Sequence, residues 1–106
     1  MAVIVVPHYE PTKLARWAYR GLLERLAAAT EDEGDNYIVR QAIALDGLHF
    51  DLLDDRDQAV RLAERLAKVA DELRLELLRT PSDDPRDLQF AEILAQLEMQ
   101  LHDIYE

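Results

Sequence analysis

The chain is 106 residues long, with 49% hydrophobic but only 7% aromatic residues, 22 acidic against 12 basic side chains and a formal net charge of -10. That length holds one domain with its own core and leaves no room for a second. Zero cysteines exclude a disulfide scaffold and thiolate chemistry, and the lack of any basic stripe excludes nucleic acid as a partner.

Residues 2 to 6 are small or β-branched and end at Pro7, which reads as an extended arm over residues 1–10. Met1 to Val6 is too short for the apolar region of a secretion signal, and no run of about 18 apolar residues occurs. The expectation is therefore a cytoplasmic protein that makes no use of a membrane. A first helix is predicted over about residues 12–32, opened at Thr12 or at Glu10 and Pro11 and closed near Gly34. Ala15, Tyr19, Leu22, Leu23 and Leu26 form its apolar stripe, whereas Trp17 falls in the opposite sector with Lys13, Arg16, Arg20 and Glu24. That indole needs cover from somewhere other than the main core.

Residues 37–53 fit two patterns. Asp46 and Gly47 suit a tight hairpin turn, yet Ile43, Ala44 and Leu45, like Leu52 and Leu53, break a period of two. Read as a helix over 36–53, the segment lines up Ile38, Ala42, Leu45, His49 and Leu52, flanked by Val39, Ile43 and Phe50. The helix is favoured, bent at Gly47, and its oily circumference places it mid-bundle or at a subunit interface. A third helix over 56–79 carries Ala59, Leu62, Ala63, Leu66, Val69, Ala70, Leu73 and Leu77 on one face. After a loop containing Pro81 and Pro85, a fourth over 84–105 repeats Phe90, Leu94, Leu97, Leu101 and Ile104 at seam spacing. Together these predict an all-α antiparallel four-helix bundle with an extended N-terminal arm, the alternative being an α+β fold with a hairpin at 37–53.

Candidate chemistry is sparse. Glu98 and His102 sit four apart, but no other core stripe carries the facing carboxylates that a bundle metal site needs, so neither metal nor cofactor is expected. His49 reads as a buried neutral imidazole, and His8 with Glu10 offers too little geometry for acid–base work. No activated nucleophile or glycine-rich phosphate loop is present, and the chain reads as a protein without catalytic activity.

The acidic excess lies in residues 46–57, with five Asp against Arg56, and in 80–106, with seven acids against Arg86. The expected function is a small acidic protein-binding module, a regulator or an inhibitor or immunity-like partner of a basic protein surface. Its partner-binding residues would be Trp17, Asp51, Asp54, Asp55, Asp57, Asp83, Asp84 and Asp87. The alternative is a self-assembling, dimeric structural or accessory protein. It would bury Val3, Ile4, Val5, Val6, Val39, Ile43 and Phe50 against a second copy.

Overall fold

A computed structural model describes residues 1–79 and 84–106. In chain order the elements are β1 (Ala2–Val5), β2 (Thr12–Leu14), α1 (Arg16–Ala29), α2 (Glu33–Leu45) and β3 (Gly47–His49). A 3₁₀ turn (Phe50–Leu52), α3 (Arg56–Arg79) and α4 (Pro85–Tyr105) follow. The three strands form one mixed sheet in the order β2-β1-β3, with β1 antiparallel to β2 and parallel to β3.

This overturns the all-α four-helix bundle, and the protein belongs to the α+β class. The reason is backbone accounting: every amide of an extended segment needs a partner. The N-terminal segment finds one on each side, pairing Ile4 with Thr12 and with Leu48, so the expected free arm is the central strand. The hairpin within 37–53 does not form either, because β3 pairs in parallel with β1 rather than folding back on α2. β2 takes the residues expected to open the first helix, and α1 begins at Arg16 with Ala15 as a cap that makes no side-chain bond.

The predicted 36–53 helix is cut at Asp46. This residue takes a left-handed conformation (φ 54°), and its amide donates to the Ala42 and Ile43 carbonyls, which closes α2. Its own carbonyl accepts from the Val3 amide at 3.1 Å, and its carboxylate meets the Arg16 guanidinium at 3.1 Å. Three elements are thus tied to one residue. Gly47 follows as the first residue of β3, where a Cβ would lie 3.0 Å from the His49 imidazole.

One face of the sheet supplies Ala2, Ile4, Val6, Leu14 and Leu48 to the core, where they join Leu22 and Leu26 of α1. Leu62 and Leu66 of α3 and Leu94, Leu97 and Leu101 of α4 complete it. Val3 and Val5 point to the other face, half-buried and outside that core. α3 and α4 pack as an antiparallel pair, with Ala63, Ala67 and Ala70 buried and small enough for close approach. At about 1.5 Å per residue α3 spans about 36 Å, close to the 41 Å long dimension of the molecule.

Charged residues fasten the helices where apolar contacts stop. Asp35, fully buried near the start of α2, accepts from Gln58 Nε2 at 2.9 Å and from Arg61 Nε and its terminal nitrogen at 3.0 and 3.1 Å. The Arg61 hydrogen bonds hold its carboxyl below the usual carboxylate range. Arg25 of α1 forks onto Glu76 of α3, and Arg74 of α3 joins Asp71 to Glu98 of α4.

Candidate interaction surfaces

The environment of Trp17 follows from where α1 starts. With Thr12–Leu14 in the sheet, Trp17 falls in the first turn of α1, Ala18 and Tyr19 turn inward, and the indole is left 53% exposed. One side of it meets Phe90 of α4, edge to face, with ring centroids 5.7 Å apart at 76°. Beside this pair lies a cleft of about 240 Å³, lined by Leu14, Ala18, Phe90 and Ile93 with Lys13 and Arg86. A second groove meets the first at Trp17 and runs along the start of α4, lined by Asp84, Arg86 and Asp87. The indole therefore stands between a largely apolar hollow and a charged helix terminus.

Asp84 caps α4 by accepting from the Arg86 amide at 2.9 Å, and its carboxylate also takes the Arg86 guanidinium at 2.9 Å. That guanidinium holds the Asp84 carboxyl low. Asp83, predicted to act with it, lies outside the described residues.

The acidic residues of the 46–57 segment lie elsewhere. Asp51, Asp54, Asp55 and Asp57 are all exposed, on the 3₁₀ turn, the loop after it and the start of α3. Asp51 and Asp54 line a cleft of about 360 Å³ with His8, Phe50, Asp103 and Ile104, beyond the carboxyl ends of the parallel strands β1 and β3. His8 there has φ 74°, and the Tyr9 hydroxyl donates to the Asp103 carboxylate, which raises the Tyr9 pKa. From Asp87 to Asp103 is sixteen helical steps, about 24 Å along α4. The Asp51–Asp57 group and the Asp84–Asp87 group therefore belong to opposite ends of that helix and do not form one patch.

The residues expected at a dimer contact divide in the same plain way. Ile4, Val6, Val39 and Phe50 are consumed by the chain's own core, because β1 is a central strand and α2 ends before Phe50. Ile43 is half-buried against that core, which leaves Val3 and Val5 facing outward. Val3 lies opposite Lys13 across the β1–β2 pair, so the outer sheet face and the Trp17 cleft share Lys13.

His49 is not the buried imidazole of the predicted helix. In β3 it is half-exposed, its Nδ1 3.8 Å from Asp51. Glu98 is held by Arg74 at 2.9 Å, with burial raising its pKa, and His102 is exposed beside Glu106 at 3.1 Å. Among the described residues no group of three or more potential ligands is placed to hold a metal ion, and no helix is long and apolar enough to cross a membrane.

Sequence reasoning missed the polar knot at Tyr19. Its buried hydroxyl donates to the Ala42 carbonyl at 2.6 Å, and burial with the nearby Asp46 charge pushes its pKa far up. The only signal was a tyrosine inside an otherwise aliphatic stripe. No protein-family model, curated protein or solved structure matches the chain.

Proposed function

We propose that this protein is an accessory protein that works by self-association, as a homodimer whose contact face centres on Trp17. The single observation that carries it is the half-exposed indole, braced on Phe90 at the mouth of an apolar cleft. Contact energy concentrates in large aromatic anchors beside pockets that exclude water. The hollow of about 240 Å³ falls below the roughly 300 Å³ at which small-molecule sites begin, which favours a single protein side chain as its occupant.

Sedimentation equilibrium through the micromolar range tests this directly, with a monomer–dimer equilibrium as the expected result. Because Trp17 is the chain's sole tryptophan, its emission reports the same event: association shifts the maximum to the blue, and dilution reverses it. A monomer at every concentration, with emission unchanged on dilution, overturns the proposal.

A second function, binding a basic protein, is supported by a separate observation: Asp51, Asp54, Asp55 and Asp57 all remain exposed at the other end of α4. Capture of a basic partner from the native cell that is lost when Asp54, Asp55 and Asp57 are neutralised supports this function. Unchanged capture rejects it.

A further inference from the structure

We propose that the Asp46–Gly47 step is a modification site, where the chain converts to isoaspartate without an enzyme whenever the contacts around Asp46 open. No other Asp or Asn in the chain is followed by glycine. The reaction needs the next backbone nitrogen to reach the side-chain carboxyl, and glycine alone brings no side chain to obstruct that approach. The Gly47 nitrogen attacks Cγ of the protonated Asp46 carboxyl, and as the new C–N bond forms, the carboxyl hydroxyl leaves with the amide proton as water. Water then opens the five-membered imide at either carbonyl. Opening at Cγ restores aspartate, whereas opening at the backbone carbonyl leaves the chain running through Cγ, with one added methylene and a free α-carboxylate. Nothing is oxidised or reduced, and water is the sole co-reactant.

The closed fold withholds this reaction. Asp46 is held at φ 54° and ψ 32°, which turns the Gly47 nitrogen to the side of the Cα–C bond away from Cβ. Attack requires the 46–47 peptide plane to swing round, yet its carbonyl accepts from the Val3 amide at 3.1 Å and the Asp46 amide is spent on the Ala42 and Ile43 carbonyls. The reacting groups themselves are lightly held. Asp46 Oδ2 meets only Arg16, whose side chain is 68% exposed, and Oδ1 is buried without a hydrogen-bond partner among the described residues. β3 is an edge strand, and because the ladder to β1 runs through the Asp46 carbonyl, the Gly47 N–H faces the open edge. One local opening, at the end of α2 and the start of the β1–β3 pair, therefore suffices.

The product does not fit back. Asp46 both closes α2 and receives β1, so a methylene inserted into its backbone displaces one contact relative to the other. Each event leaves a chain whose N-terminal half is loosened while the α3–α4 pair keeps its own contacts.

The test holds the purified protein for weeks at physiological temperature and pH, in native buffer and in urea. Isoaspartate is located by peptide mapping with electron-transfer fragmentation, since the two isomers have equal mass. Accumulation is expected at Asp46, at least about tenfold slower in native buffer than in urea, because the folded chain must first open. Tyr19→Phe, checked for native helicity by circular dichroism, removes the hydrogen bond to the Ala42 carbonyl. It should raise the native rate about fivefold and leave the urea rate unchanged. The isoaspartate fraction should lose hydrogen-exchange protection at the Val3 amide, with α4 still protected. Equal rates in the two buffers, or a Tyr19→Phe rate no faster than wild type in native buffer, overturn the gating by opening. Absence of isoaspartate at Asp46 in native buffer overturns the site itself.

Discussion

The α3–α4 pair and the first fifty residues solve the burial problem in opposite ways. In the pair, the apolar faces of two helices consecutive in the chain meet each other, and each keeps one repeat along its length. In the N-terminal half, Ile4 is completed by Thr12 on one side and by Leu48 on the other, with α1 and α2 between those strands. Local pairing is cheap to close and tolerant of small errors, whereas distant pairing depends on a few residues that hold several elements at once. Asp46 is such a residue, and so is Asp35.

The largest effect expected from a single change belongs to the regular half. Leu66→Ala removes a fully buried side chain and should cost about 2 to 5 kcal/mol in chemical denaturation. A smaller cost would mean that the helix pair relaxes into the vacancy. Asp35→Ala tests the irregular half, leaving the Arg61 guanidinium without its acceptor. Because the Arg61 side chain is 45% exposed, water recovers part of the loss, and about 2 kcal/mol is expected.

Asp35 also carries a pH signature. Its folded pKa lies below the unfolded value of about 3.9, so its contribution is present above that pH and disappears as pH falls through the folded value. Unfolding free energy measured between pH 6 and 2 should therefore fall less steeply below about pH 4 in Asp35→Ala than in wild type. Equal slopes would remove the carboxylate from the account.

Tyr19→Phe deletes the hydrogen bond to the end of α2 and should cost about 1 kcal/mol, with hydrogen exchange in 38–45 accelerating more than in 85–105. Uniform acceleration would show that the two halves open together. Trp17→Ala should lower monomer stability least, by about 0.5 to 1 kcal/mol, since half the indole is already in water. If the protein self-associates as proposed, the larger effect of this change is expected on association, read by sedimentation.

How much was legible in the sequence follows the same divide. The apolar repeats through Ala59 to Leu77 and Phe90 to Ile104 mark the faces that α3 and α4 bury, because a helix presents its pattern over many residues. Thr12–Leu14 and Gly47–His49 are three residues each, too short to display any period. Each was absorbed into a neighbouring helical pattern, and their pairing with β1 is a relation between distant residues that no local window contains.

The displacement of Trp17 from the oily stripe was visible, but the Phe90 beneath it was not, since Phe90 also fits the core repeat of its own helix. The sequence shows two acidic segments but not the distance between them, and their placement at opposite ends of α4 has no counterpart in composition.

The parallel pairing of β1 with β3 fixes an order of events during synthesis. The first strand emerges earliest, yet one of its two edges stays open until Leu48 has left the ribosome, after both α1 and α2 are made. For that interval Ile4 has only Thr12 beside it. The nascent chain thus carries an unzipped strand edge through that interval, and anything that slows translation between Gly34 and Gly47 prolongs the period in which another nascent chain can close it.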